Sequence, residues 1–75
     1  MKIRYDAEVD ALSIIFLDTT VTSKEVAEGI AIEYDREERV AGIEILDARA
    51  RFGAVDPLQS ITLEGIAVAR PALVS

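Results

Sequence analysis

The chain has 75 residues, 14 acidic against 8 basic side chains for a formal charge of −6, 51% apolar residues, and neither cysteine nor histidine. Those counts exclude a disulfide framework and the usual zinc and transition-metal sites, whose ligands are missing, and so acidic a chain repels a phosphate backbone at long range. No run approaches the roughly 18 apolar residues of a membrane span, and the opening "MKIRYDAEVD" is too charged for a secretory leader.

The expectations from these bounds are a cytoplasmic location and no nucleic-acid or membrane partner. The length implies one domain, residues 1–75, burying only about 60 to 65% of its unfolded surface. Chains this small draw extra stability from a disulfide, a metal or a partner subunit. The composition leaves the third, so a homodimer or higher oligomer is expected.

In chain order, residues 2–5 ("KIRY") alternate basic and apolar, with Ile3 and Tyr5 on one side, and predict a short strand. Asp6 to Asp10 form a turn. Residues 11–17 ("ALSIIFL") are β-branched and aromatic, bounded by Asp10 and Asp18, and predict a second strand. Leu12, Ile14 and Phe16 point one way, and Ala11, Ile15 and Leu17 the other. Both faces therefore need cover, and the strand belongs inside the sheet.

Residues 18–28 are a polar connection with a strand-like middle at Val21 or Val26. Residues 29–35 alternate, turning Ile30, Ile32 and Tyr34 inward, and predict a third strand. Residues 40–46 predict a fourth, with Ala41, Ile43 and Ile45 on one face; Gly42 marks a bulge or a close backbone approach. "DARARFG" follows, with Asp47 at an N-cap position and Gly53 past the end of a short helix. Asp56 and Pro57 open one further helical turn, and an extended segment runs on to about Val68. Pro71 onward reads as a loose tail.

The expected fold is mainly β, a small α+β domain: a four-stranded antiparallel meander built from two hairpins, a short helical turn after the fourth strand, and a C-terminal extended segment. "YDAEVDALSIIFLD" and "YDREERVAGIEILD" match at an offset of 29 positions, sharing Tyr5/Tyr34, Asp6/Asp35, Glu8/Glu37, Ile14/Ile43, Leu17/Leu46 and Asp18/Asp47. Each copy is a strand exit, an acidic turn and a returning strand, so hairpin geometry accounts for the echo as well as duplication does.

The phrases "MKIRYDAEVDALSI" and "GIAIEYDREERVAGIEILDA", in that order and spacing, resemble a family of small prokaryotic proteins known as a domain of unknown function (DUF 2283). The resemblance covers residues 1 to about 53 and leaves 54–75 as an extension. The family has Tyr at the place of Ser13, commonly Pro at Glu28, and Gly at Glu38. A Glu in a left-handed turn position costs around 1 kcal/mol, which favours a longer loop over a two-residue turn. The resemblance implies a compact β-rich fold, brings no catalytic residue with it, and suggests an accessory protein that acts by binding another.

The one chemically suggestive set is acidic. Asp6, Glu8, Asp35 and Glu37 are candidate ligands for a divalent cation if the two hairpin turns share one end of the sheet, or acid and base for a hydrolase if a closed pocket raises one pKa. Against this, Asp and Glu are ordinary turn residues, and the calcium-loop pattern is absent. Tyr5 and Tyr34 are expected at the edge of the core with their hydroxyls in water. Arg36, Arg39, Arg49 and Arg51, with Lys2 and Arg4, are expected to pair with Glu33, Glu44 and Asp47 rather than to form a basic patch.

No cofactor and no catalytic residue follow. The expected function is a non-enzymatic, homo-oligomeric protein-interaction module, with Ile15, Leu17, Leu46 and Phe52 in the interface. One small protein partner, as for an antitoxin, is a special case that a neighbouring reading frame for a small basic protein would favour. The alternative is the carboxylate-based metal site or hydrolase.

Overall fold

The computed structural model describes residues 1–53 and 56–67. Five strands, β1 (Lys2–Asp6), β2 (Ala11–Ile15), β3 (Thr22–Ala27), β4 (Ile30–Tyr34) and β5 (Val40–Ile45), precede a short helix, α1 (Ala48–Phe52). The strands form one sheet in the order β1-β2-β5-β4-β3, every neighbouring pair antiparallel. The class is mainly β, as expected, but the four-stranded meander is not what forms.

The polar connection contains a strand. Thr22–Ala27 is exposed along its whole length and lies at the sheet edge beside β4, where a strand needs one hydrogen-bonding partner and no apolar face. Its charged sequence, "TSKEVA", leaves the strand-like middle read at Val26 as its one sign in the pattern. One added strand reverses the direction of each strand after it. Strand β2 consequently pairs with β5, and the chain crosses over to lay down β3 on the far edge.

Residues opposite each other in an antiparallel ladder share a face. One row across the sheet is Tyr5, Leu12, Ile45, Ile30 and Ala27; the next is Ile3, Ile14, Ile43, Ile32 and Lys24. The other face carries Arg4, Ser13, Glu44, Ala31 and Glu25, then Lys2, Ile15, Gly42, Glu33 and Ser23. Strand β2 is interior, as expected, but only its Leu12 and Ile14 side belongs to a broad apolar surface.

Strand β2 ends at Ile15 rather than at Leu17, because the Phe16 and Leu17 N–H groups both donate to the Ala41 carbonyl, at 2.8 and 3.0 Å. The β4–β5 register also shifts there, between Glu33 opposite Gly42 and Tyr34 opposite Val40. Gly42 is buried beside this bulge, and a Cβ on it would sit 2.9 Å from the Ile14 carbonyl oxygen and 2.7 Å from Glu33 Oε1. The bulge and the close approach expected of Gly42 are both present.

Helix α1 ends as expected, with Gly53 at φ 65° donating its N–H to the Arg49 carbonyl. Its start is a correction. Asp47 holds the N-cap position at φ 54° but makes no side-chain cap. Asp56 accepts from the Leu58 N–H at 3.0 Å and the Gln59 N–H bonds to the Asp56 carbonyl at 3.1 Å, the turn read at Pro57. Residues 60–65 carry no regular structure; the tail from Pro71 lies outside the described residues.

Candidate functional site: an uncovered apolar sheet face

Nine of the ten side chains in the two rows from Tyr5 and Ile3 are apolar, Lys24 at the β3 edge being the exception. β-Branched residues dominate because they suit a pleated, half-buried surface. Among the described residues the buried hydrophobic side chains are only Leu12, Ala41 and Ala48, and no large side chain falls below 2% exposure. Ile14, Ile30, Ile32, Ile43 and Ile45 stay half-buried, and Ile3 is 36% exposed.

Five strands about 4.8 Å apart and about 16 Å long make a face of roughly 24 by 16 Å, near 380 Å² before side-chain relief is counted. Soluble monomers seldom leave a contiguous apolar patch larger than a few hundred Å² in water. The helix does not close it: α1 has five residues and buries Ala48 alone.

The four residues expected at an interface do not form one patch. Ile15 is half-buried on the charged face, opposite Gly42 and Lys2. Leu17 lies past the end of β2, hydrogen-bonded at Ala41, whereas Leu46 bonds to Gly29 at the opposite end and Phe52 lies on α1 beyond it. The apolar surface lies on the side of Ile30 and Ile32, which the alternation turned inward, and Ile3 and Ile43 share that side. What the sequence hid was that no large side chain on this face is fully buried among the described residues.

The acidic turns are separated too. Reversal of the later strands puts the Asp6–Asp10 turn at the end of the sheet that carries α1, and the Asp35–Arg39 turn at the other end. Asp6 and Glu8 therefore do not converge on Asp35 and Glu37 as the meander required. Asp6 Oδ1 accepts from the Glu8 N–H at 3.0 Å, and Asp35 Oδ1 from the Glu37 N–H at 2.8 Å. These matching turn bonds explain the repeated Tyr-Asp-x-Glu phrase as local geometry.

Asp35 does more than Asp6. Its buried carboxylate also accepts from the Arg39 N–H and from Arg39 Nε, both at 2.9 Å. The backbone hydrogen bond from Arg39 leads the effects that hold its pKa below the ordinary value, against the opposing effect of burial. The Asp35 N–H bonds to the Arg39 carbonyl, the Glu38 N–H to the Asp35 carbonyl, and Glu38 takes φ 60°. This is the longer loop expected from the missing turn glycine, a three-residue connection with its left-handed position filled by Glu.

Asp10, read from the sequence as a turn residue and as one of the acidic set with Asp6 and Glu8, has a long-range partner in Arg49 that the sequence did not show. Its carboxylate accepts from the Tyr5 hydroxyl at 2.6 Å and from the Arg49 N–H at 3.1 Å, and it faces Arg49 Nε at 3.3 Å. Its carbonyl accepts from the Ala48 N–H. The cap that Asp47 does not provide thus comes from the β1–β2 turn, and the Tyr5 hydroxyl has a protein partner rather than open water. The Tyr5 hydrogen bond is the main cause lowering the Asp10 pKa, and the same bond raises that of Tyr5.

Three of the arginines are engaged by turns and loops of the same chain. Arg39 pairs with Asp35 and Glu37, Arg49 with Asp10, and Arg51 donates to the carbonyls of Leu46 and Glu28. None of the Glu33, Glu44 and Asp47 pairings expected for them forms among the described residues. As for chemistry, a general acid needs a carboxyl raised toward neutrality, and the two carboxyls that shift, Asp10 and Asp35, both go down.

The fold and this surface define a small open-sheet β protein with one apolar and one charged face. The chain belongs to the family described as Protein of unknown function (DUF2283), whose model matches residues 2–49. That match takes in all five strands and stops as α1 begins. No curated protein and no solved structure matches the chain.

Proposed function

We propose that this protein is a non-enzymatic, homo-oligomeric interaction module in which a second copy covers the sheet face formed by Ile3, Tyr5, Leu12, Ile14, Ile30, Ile32, Ile43 and Ile45. The observation that carries this reading is that no large side chain is fully buried among the described residues while these eight share one face.

The choice of a second copy rests on the character and size of the surface. With Lys24 alone charged and at its rim, the face offers a partner nothing but shape and apolar contact, and an identical face meets both requirements. Two sheets packed face to face sit about 10 Å apart with interdigitated side chains. With side-chain relief and the flanking Phe16, 42% exposed, the buried area moves toward the roughly 800 Å² per partner of a stable complex.

The test is sedimentation equilibrium at micromolar concentration. The proposal expects a mass of twice the 8.2 kDa chain or a higher multiple; a folded species at 8.2 kDa would overturn it.

A further inference from the structure

Residues 60–64, "SITLE", alternate polar and apolar, with Ile61 and Leu63 set against Ser60, Thr62 and Glu64. That is the period of a half-buried strand. Yet the segment pairs with none of the five strands, and Ile61 and Leu63 are 52% and 72% exposed. It is a strand by pattern without a neighbour.

The sheet offers an open edge as well. Among the described residues β1 pairs only with β2, in unbroken register over five residues, and contains no proline. The opposite edge is blunted: β3 has a register shift between Glu25 and Ala27 and places Lys24 on the apolar face. Flat, regular edges are where further strands add.

We propose that residues 60–64 of a second copy add to β1 as a sixth, antiparallel strand, a reading that rests on the homo-oligomer proposed above. Only one antiparallel register pairs all five residues in full: Ser60 with Asp6, Ile61 with Tyr5, Thr62 with Arg4, Leu63 with Ile3, and Glu64 with Lys2. Both apolar residues then fall on the apolar face, extending its two rows by one strand, and Glu64 meets a lysine. The parallel alternative with the same face match sets Glu64 against Asp6, a like-charge pair that cross-strand geometry penalises. A shift of one residue puts Ile61 and Leu63 on the charged face. Strand addition of this kind draws affinity from main-chain hydrogen bonds and specificity from alternate side chains.

The chain has no cysteine, so a disulfide reads the register directly. Arg4 and Thr62, opposed in this pairing, are both exposed, and directly opposed Cβ atoms lie close to the separation a disulfide spans. Arg4→Cys and Thr62→Cys proteins, mixed and gently oxidised, are expected to give the mixed disulfide at about tenfold or more over either homodisulfide, the enrichment that a high effective concentration produces. The double variant R4C/T62C is expected to run as a covalent oligomer. An intramolecular disulfide in that variant would overturn the proposal by showing closure within one chain. Absence of preferential cross-linking in protein that still sediments as a dimer would overturn it and leave the sheet-face reading standing, whereas an unlinked monomer would remove both.

Discussion

The Asp10 carboxylate accepts the backbone N–H of Arg49 at 3.1 Å across 39 residues of sequence. A turn at one end of β1 and β2 thereby supplies the start of α1, whose own N-cap residue, Asp47, makes no side-chain bond. Asp10 itself sits at φ 56°, a left-handed conformation that Asp tolerates better than most residues. Asp10→Ala loses the cap and adds strain, and is expected to lower the melting temperature by roughly 5 °C or more. Asp10→Asn, which keeps both the tolerance and an acceptor oxygen, should cost visibly less; equal losses would show that the cap is not what Asp10 contributes.

The Tyr5–Asp10 bond needs a neutral phenol and an ionised carboxylate. The Asp10 pKa is lowered from its ordinary 3.8, so its contribution is full above that pH and fades as pH falls through the lower folded value. The Tyr5 pKa is raised from 10.0, so its contribution is full below pH 10 and fades as pH rises through the higher folded value. Asp35, also lowered from 3.8, adds to the acid limb. Thermal melts from pH 2 to 12 should show a plateau between these limits, and Tyr5→Phe should flatten the alkaline limb. An unchanged alkaline limb in that variant would contradict the assignment.

Glu38 occupies a left-handed turn position at φ 60°. Replacing it with glycine removes the steric cost of that conformation but loosens the unfolded chain. The expected balance is a gain of about 0.5 to 1 kcal/mol, read from urea unfolding at constant m-value. A loss would mean that the Glu38 side chain makes a contribution larger than the strain.

Gly42 has no room for a methyl group, because the nearest atoms include the backbone oxygen of Ile14, which moves only with the strand. Gly42→Ala is expected to cost about 1 to 3 kcal/mol, as for overpacking in a closed site. Far-UV circular dichroism with urea titration would report it.

Much of this architecture was legible in the sequence. The strands at 2–5, 29–35 and 40–46 announce themselves by alternation, Gly42 and Gly53 by their chemistry, and the apolar face by the parity of Ile3, Ile30, Ile32 and Ile43. The edge strand Thr22–Ala27 showed only as a strand-like middle at Val26, since a strand bonded on one side and wet on both faces needs no apolar pattern, and leaving it out of the strand count inverted the placement of the acidic turns. Asp10 was read as turn chemistry because its partner, Arg49, is distant in sequence. Ile15 lies on the face opposite the apolar rows: its own strand looks apolar on both faces, and only the neighbours Lys2 and Glu33 make that face polar.

The central claim is that the Ile43 side of the sheet is covered by another copy and the Ser13 side is not. Ile43→Asp and Ser13→Asp place the same charge on adjacent interior strands but on opposite faces, so sedimentation equilibrium of the two variants, with circular dichroism to confirm the fold, compares the faces directly. The account predicts that Ile43→Asp dissociates the oligomer into folded 8.2 kDa chains while Ser13→Asp leaves association unchanged. Dissociation by Ser13→Asp, with Ile43→Asp still associated, would contradict it.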